Sequence, residues 1–332
     1  MNLAATIFIV LLISHLFAFL ARKLKFPTVV GLLIAGLLTG IPCIKNIIIG
    51  HHSSFILDLG NIALICLMFL AGLESSWHQI YAEKKDALII ALFATLIPFL
   101  LGFGVGILLN FSPTTATIIG ICISISAEAT RAKVLLALKK LKTKVGSVMM
   151  GAGIIDDLFG LLLFILVFFF LGEPHLKENL FVMETILAFF VGIIVRKKMG
   201  QKSLWLKEFE NSLNLIIIPF FFIAIGLHFD ISSLALNPLT IVLITLVAFL
   251  GKLGGVLLVK PFLKFQWKQL YLIGWAMNSR GAIGIALAMI ACASELISVE
   301  LYSALIVMAL LTTISFPFVI TRMIKTNPKI MN

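Results

Sequence analysis

Apolar runs of about twenty residues follow one another along the whole chain, separated by short polar segments that are mostly basic. Runs of that length at helical rise span a bilayer's hydrocarbon core. The pattern predicts an all-α, polytopic integral membrane protein with eleven spans, at about 3–21, 26–42, 54–75, 86–110, 113–138, 145–171, 180–196, 211–229, 238–260, 269–291 and 299–321. The second is short and punctuated by Pro27, Gly31, Gly36, Gly40 and Pro42, which predicts a kink or tilt. Two others are interrupted at mid-depth by helix-weakening polar sequence. In the fifth it is Ser124-Ile125-Ser126-Ala127-Glu128-Ala129-Thr130-Arg131, and in the tenth Asn278-Ser279-Arg280-Gly281.

The charge distribution sets the orientation. Twenty of the 26 basic residues fall after odd-numbered spans, and only Lys45 and Lys177 after even-numbered ones. One missed helix would scramble that alternation, so the N-terminus is expected outside and the C-terminus in the cytoplasm of a cell (plasma) membrane protein. The first apolar run has no basic residue before it and Arg22, Lys23 and Lys25 after it, the order of a first span rather than of a cleaved signal peptide.

Composition agrees: 61% of residues are hydrophobic and 12% charged, about half the charged share of an ordinary soluble domain. The net charge of +11 lies between the apolar runs, where it orients the chain in the membrane and gives no reason to expect nucleic acid. Cys43, Cys66, Cys122 and Cys292 are isolated, with no C-x-x-C spacing, and are expected to pack as small hydrophobes. The six histidines form no metal pattern. No cofactor is expected. The longest polar stretch, Arg196 to Asn211, holds Trp205 and Phe209 and reads equally as an interfacial helix or a solvated loop.

The remaining chemistry is concentrated in charges within the apolar runs. Asp156 and Asp157 lie in Gly151-Ala152-Gly153-Ile154-Ile155-Asp156-Asp157, inside the sixth span. A charge there costs about 2.5 kcal/mol or more even on lenient scales, so the pair is expected to be functional. Lys252, in Leu250-Gly251-Lys252-Leu253-Gly254-Gly255, lies in the ninth span, and Glu128, Arg131 and Arg280 lie in or beside the interruptions. Broken helices at mid-membrane expose half-helix ends, which a carboxylate in one break and a guanidinium in the other would neutralise. Spans 4–6 and 9–11 each carry the break in their middle member and run in opposite directions. They read as an inverted repeat, with the site where the breaks cross.

Four stretches in order, together with Arg280-Gly281, then carry a resemblance. The Gly151 to Asp157 segment resembles the aspartate-pair helix of the monovalent cation/proton antiporter superfamily, the sodium/proton exchanger family. Pro27 to Gly36 resembles that family's second helix, Phe69-Leu70-Ala71-Gly72-Leu73-Glu74 its third, and Pro219 to Leu227 the helix preceding the lysine. The similarity covers nearly the whole chain. It implies a secondary-active antiporter exchanging Na⁺, or Li⁺ or K⁺, for H⁺ by competition at a buried carboxylate. Asp157 would be the principal cation and proton carrier, and so the monovalent-metal site together with Asp156, whose partner would be Lys252. The ligands are the cation and protons, in a lipid bilayer. Ser124, Ser126, Thr130 and Asn278 are candidates for additional oxygens. The resemblance also implies elevator-type alternating access, with core spans at 86–171 and 238–321 moving against a scaffold at 1–85 and 180–229, all within one transmembrane domain, 1–332.

Two departures accompany it. Relatives of this type usually have about two more helices, which this chain lacks between Leu171 and Leu180. One of them often contributes to the homodimer that the resemblance would otherwise imply. The arginine-glycine pair is usually followed by Glu, and here it is Ala282, so Glu128 in the opposite break is the expected replacement partner for Arg280. Among other classes, a sodium-coupled symporter for a small organic anion is the alternative. It would need an enlarged cavity, a channel would need a filter or charged ring, and no G-x-S-x-G or H-E-x-x-H motif points to an enzyme.

Overall fold

A computed structural model describes residues 2–74, 84–126, 128–141, 143–171, 176–199, 204–233 and 237–331. All regular structure among them is helical. The chain divides into two units, Met1–Ser75 with Pro174–Ser233, and Ser76–Glu173 with Leu234–Asn332.

The first unit holds α1 (Leu3–Lys23), α2 (Thr28–Gly40), α3 (Pro42–Ile48), α4 (Ser53–Glu74), α9 (Leu176–Met199), α10 (Leu204–Ile216) and α11 (Ile218–His228). Asn2 caps α1 by accepting from the Ala5 amide. The kink expected in the second span is an 88° bend between α2 and α3, at Ile41 and Pro42, because a proline cannot continue the helix before it. Helices here approach through glycine rather than through side chains. A methyl group at Gly36 or Gly40 of α2 would overlap the backbone of α11 at Phe222 or Gly226, and one at Gly72 of α4 would overlap α9 at Phe189. Close backbone approach of this kind substitutes for a hydrophobic driving force that lipid does not supply. The Arg196–Asn211 stretch is helical over much of its length. In α10, Trp205 stacks on Phe209 with ring centroids 5.4 Å apart, and Trp205 is exposed.

The second unit holds α5 (Lys84–Leu108), α6 (Pro113–Ser124), α7 (Glu128–Ala137), α8 (Lys144–Leu171), α12 (Pro238–Leu258), α13 (Trp267–Ala276), α14 (Ala282–Ala293) and α15 (Val299–Thr326). Both expected interruptions are present. Ser112 caps α6 and Pro113 follows at its first position. That helix stops at Ser124, where Ile125 turns extended, and α7 begins at Glu128. The second break runs from Met277 to Gly281, between α13 and α14. A short 3₁₀ turn, Pro328–Met331, folds back so that Ile330 and Met331 join a buried cluster with Val145 and Met149 of α8 and Leu270 and Ile273 of α13.

Among the described residues, seven helical segments, one of them α10 continued into α11, are long and apolar enough to cross a membrane, or eight if the bent α2–α3 pair counts as one span; eleven spans were expected. The difference has a physical cause. The fifth and tenth spans are pairs of half-helices of 10 to 12 residues, and the seventh expected span, 180–196, falls within the helix α9.

Candidate functional site

Four donor groups converge on Asp156 in the second unit. It is 0% exposed, at mid-length of α8. Its Oδ1 accepts from Thr95 Oγ1 on α5 at 2.6 Å, and Oδ2 accepts from the Ser126 amide in the first break at 3.0 Å. The Ser126 hydroxyl also donates to Oδ2. Lys252 Nζ lies 2.9 Å from both carboxylate oxygens, and it too is 0% exposed. A buried pair of this kind stands only if geometry and further hydrogen bonds repay the desolvation of both ions. Here Thr95 and Ser126 supply those bonds.

Glycines bring the pair together. At Gly251, a Cβ would lie 2.8 Å from Pro98 Cα on α5, and at Gly255, one turn on, it would lie 2.5 Å from the Phe93 carbonyl oxygen. The backbones of α12 and α5 are therefore in contact on both sides of Lys252, which leads its ammonium to the carboxylate beside Thr95. On α8, a methyl at Gly153 would overlap the Arg131 guanidinium, and one at Gly160 would overlap the Ile125 side chain. The aspartates thus sit between two notches that receive the two sides of the first break.

Asp157 follows on the same helix, about 100° round, and is 7% exposed. The pair Asp156–Lys252 that the resemblance implied is a direct ion pair. Arg280 is 1% exposed. Its Nη1 donates to the Ile125 carbonyl at the end of α6 and its Nη2 to the Ala248 carbonyl of α12, each at 3.1 Å. A guanidinium at a helix C-terminus meets the partial negative charge there. The backbone of Arg280 is itself held by Thr313 of α15, whose hydroxyl donates to the Arg280 carbonyl at 2.9 Å. Glu128 opens α7, where a carboxylate suits the positive end of the helix. Its side chain lies outside the described residues, and so does the pairing expected between it and Arg280.

The candidate oxygens divide. Ser124 donates to Ile121 one turn back, 2.8 Å away, and Ser126 serves Asp156. Thr130 is buried. Asn278 donates weakly, at 3.4 Å, to the carbonyls of Phe249 and Gly274. Both neighbours are acceptors, which fixes the amide orientation and turns Oδ1 to the other side, where it is buried without a donor among the described residues.

Thr95 and Thr313 were not legible as site residues. Each is a lone hydroxyl in an apolar helix, a type that usually just bonds its own backbone. Their own-helix carbonyls are also within reach, Thr95 Oγ1 lying 2.8 Å from the Ala91 oxygen and Thr313 Oγ1 2.6 Å from that of Ala309, so each hydroxyl divides its single proton between two acceptors.

Crossed half-helices with buried charges at the break define a secondary-transporter fold. A family model described as "Sodium/hydrogen exchanger, transmembrane" matches residues 7–197 and 177–326, and the chain belongs to that family. Among similar proteins is a Na⁺/H⁺ antiporter of Enterococcus hirae, 26% identical over an alignment covering 94% of this chain and 95% of that one. Another is the Na⁺/H⁺-K⁺ antiporter GerN of Bacillus cereus, 23% identical and covering 93% of each. Among solved structures, the sodium proton antiporter MjNhaP1 from Methanocaldococcus jannaschii has the same fold, with a TM-score of 0.68, 17% identity and coverage of 96% and 95%. The alignment to the Enterococcus protein runs to 369 positions, more than the 332 residues of this chain, so that relative carries segments absent here.

Proposed function

We propose that the protein is a monovalent cation/proton antiporter, with Na⁺ as the cation, in a plasma membrane. The observation that carries this is the buried Asp156–Lys252 ion pair directly beside a second buried carboxylate, Asp157, where the first break meets α8. A hard cation needs oxygen ligands, and a proton can occupy the same carboxylate. One site that holds either obliges exchange. In this reading Asp157 is the carrier, and the Asn278 Oδ1 and the Thr130 hydroxyl are candidate neutral oxygens for the dehydrated ion. Asp156 answers to changes of load through Lys252: when a cation draws on Asp156, the ammonium loses its counter-charge and can release its own proton in addition to the one displaced from Asp157. That would return more than one proton per cation.

Alternating access would come from movement of the unit carrying α5–α8 and α12–α15 as one body against the other. The direct test uses the purified protein in liposomes with an internal pH dye. Addition of Na⁺ outside should drive protons out of the lumen, toward the side where Na⁺ was added, Asp157→Asn should abolish this, and transport of an organic anion without cation–proton exchange would favour a symporter.

A further inference from the structure

Arg131 has no part in the exchange described above, yet it is among the largest fully buried side chains in the molecule, 0% exposed. It lies one turn into α7. Its guanidinium rests on the backbone of α8 at Gly153, where no side chain larger than hydrogen would leave it room. Its Nη1 also bonds the Met277 sulfur, and Met277 is the residue that caps the C-terminus of α13. Arg280 does the reciprocal thing, reaching from the second break to Ile125, the cap of α6. Each half of the crossing therefore sends a guanidinium to the terminal residue of a half-helix in the other, Arg280 to the carbonyl of Ile125 at the negative end of α6 and Arg131 to the side-chain sulfur of Met277 at the end of α13.

Gly153 and Asp157 are four residues apart on α8 and so share a face, at about 5–6 Å between neighbouring side-chain positions. An arginine never discharges in a protein. A permanent positive charge thus lies one helical turn from the carboxylate at which a cation would bind. We propose that Arg131 is a positioning residue that also sets cation affinity: it ties the end of α13 to α8 and, by its charge, weakens the hold of Asp157 on a metal cation so that the ion can leave. This rests on Asp157 being the carrier.

The test measures exchange in liposomes over a range of Na⁺ concentrations at alkaline pH, where proton competition is least. Arg131→Gln should lower the KM for Na⁺ about tenfold, as expected for loss of a like charge at that separation, while kcat falls because release slows. Arg131→Lys keeps the charge and should leave KM within about twofold of the original protein. Arg131→Met, neutral and of similar length, repeats the measurement if the Gln variant does not accumulate. Gly153→Ala, which displaces the guanidinium, should change KM in the original protein and no longer do so when Arg131 is Gln. An unchanged KM in both neutral variants, with the loss confined to kcat or yield, would reduce Arg131 to a structural tie and overturn the proposal. Asp157→Asn separates the two levels: exchange that survives it refutes the carrier assignment, whereas its loss together with an unmoved KM in Arg131→Gln refutes this inference alone.

Discussion

Asp156 makes its bonds with residues that are far apart in the chain, and its environment fixes what loss of any one should do. Lys252→Ala leaves a buried carboxylate facing two hydroxyl groups and one amide, which should cost about 3–5 kcal/mol. Adding Asp156→Asn to that variant should recover most of the loss, a comparison that thermal unfolding of the detergent-solubilised protein can make. At the protein surface, Asp230 accepts from both the hydroxyl and the amide of Ser232, and these bonds, the hydroxyl foremost, hold its carboxyl below the ordinary range. The folded value being the lower one, the contribution of this turn is present above the unfolded pKa and is lost as pH falls through the folded one. Ser232→Ala should move the Asp230 titration upward, as read by carboxyl carbon NMR. At this scale the sequence was informative about charges and, Ser126 apart, silent about their attendants. Asp156, Asp157, Lys252 and Arg280 stand out because an ion in an apolar run is costly. Thr95 and the carbonyls of Ile125 and Ala248 do not, since a hydroxyl or peptide group costs little to a helix until the fold brings an ion to it.

The helices show where glycine does the work of a side chain. Gly251 and Gly255 set α12 against α5, so Gly251→Val should separate the two backbones and draw Lys252 away from Asp156. Exchange should fall at least as far as in Lys252→Ala, and the same liposome assay reads it. The interruptions were evident from polar, glycine-containing sequence at mid-run. The half-helix lengths were not, because a run of apolar residues reads alike whether one helix or two traverse it. This is why the fifth and tenth apolar runs are each a pair of half-helices, neither long enough to cross alone. The 88° bend, by contrast, was announced by Pro42 itself, since the ring removes a donor and blocks the residue before it.

For the whole molecule, the orientation inferred from basic residues makes a direct prediction about accessibility. Cys43 is exposed, at the second residue of α3, whereas Cys122 is buried. With the N-terminus outside, Cys43 lies on the outer surface. A membrane-impermeant maleimide added to intact cells should label it, and Cys43→Ser should remove most of the label. Labelling only after the cells are opened would reverse the orientation. The family model matches in two pieces that overlap over 177–197, so α9 is matched by both, in keeping with a chain that has fewer central segments than the family model. That reading depended on comparing one length with another; nothing in the local chemistry of Leu171 to Leu180 marks an absence.

The partners of Asp156 also have an order in time. Lys252 follows it by 96 residues, and at about 5–20 residues per second a ribosome takes about 5–20 s to supply that ammonium. Thr95 and Ser126, by contrast, precede the aspartate and are already made when it emerges. During biosynthesis Thr95, Ser126 and Arg131 are therefore all in place before the carboxylate, and Lys252 is the partner that arrives last.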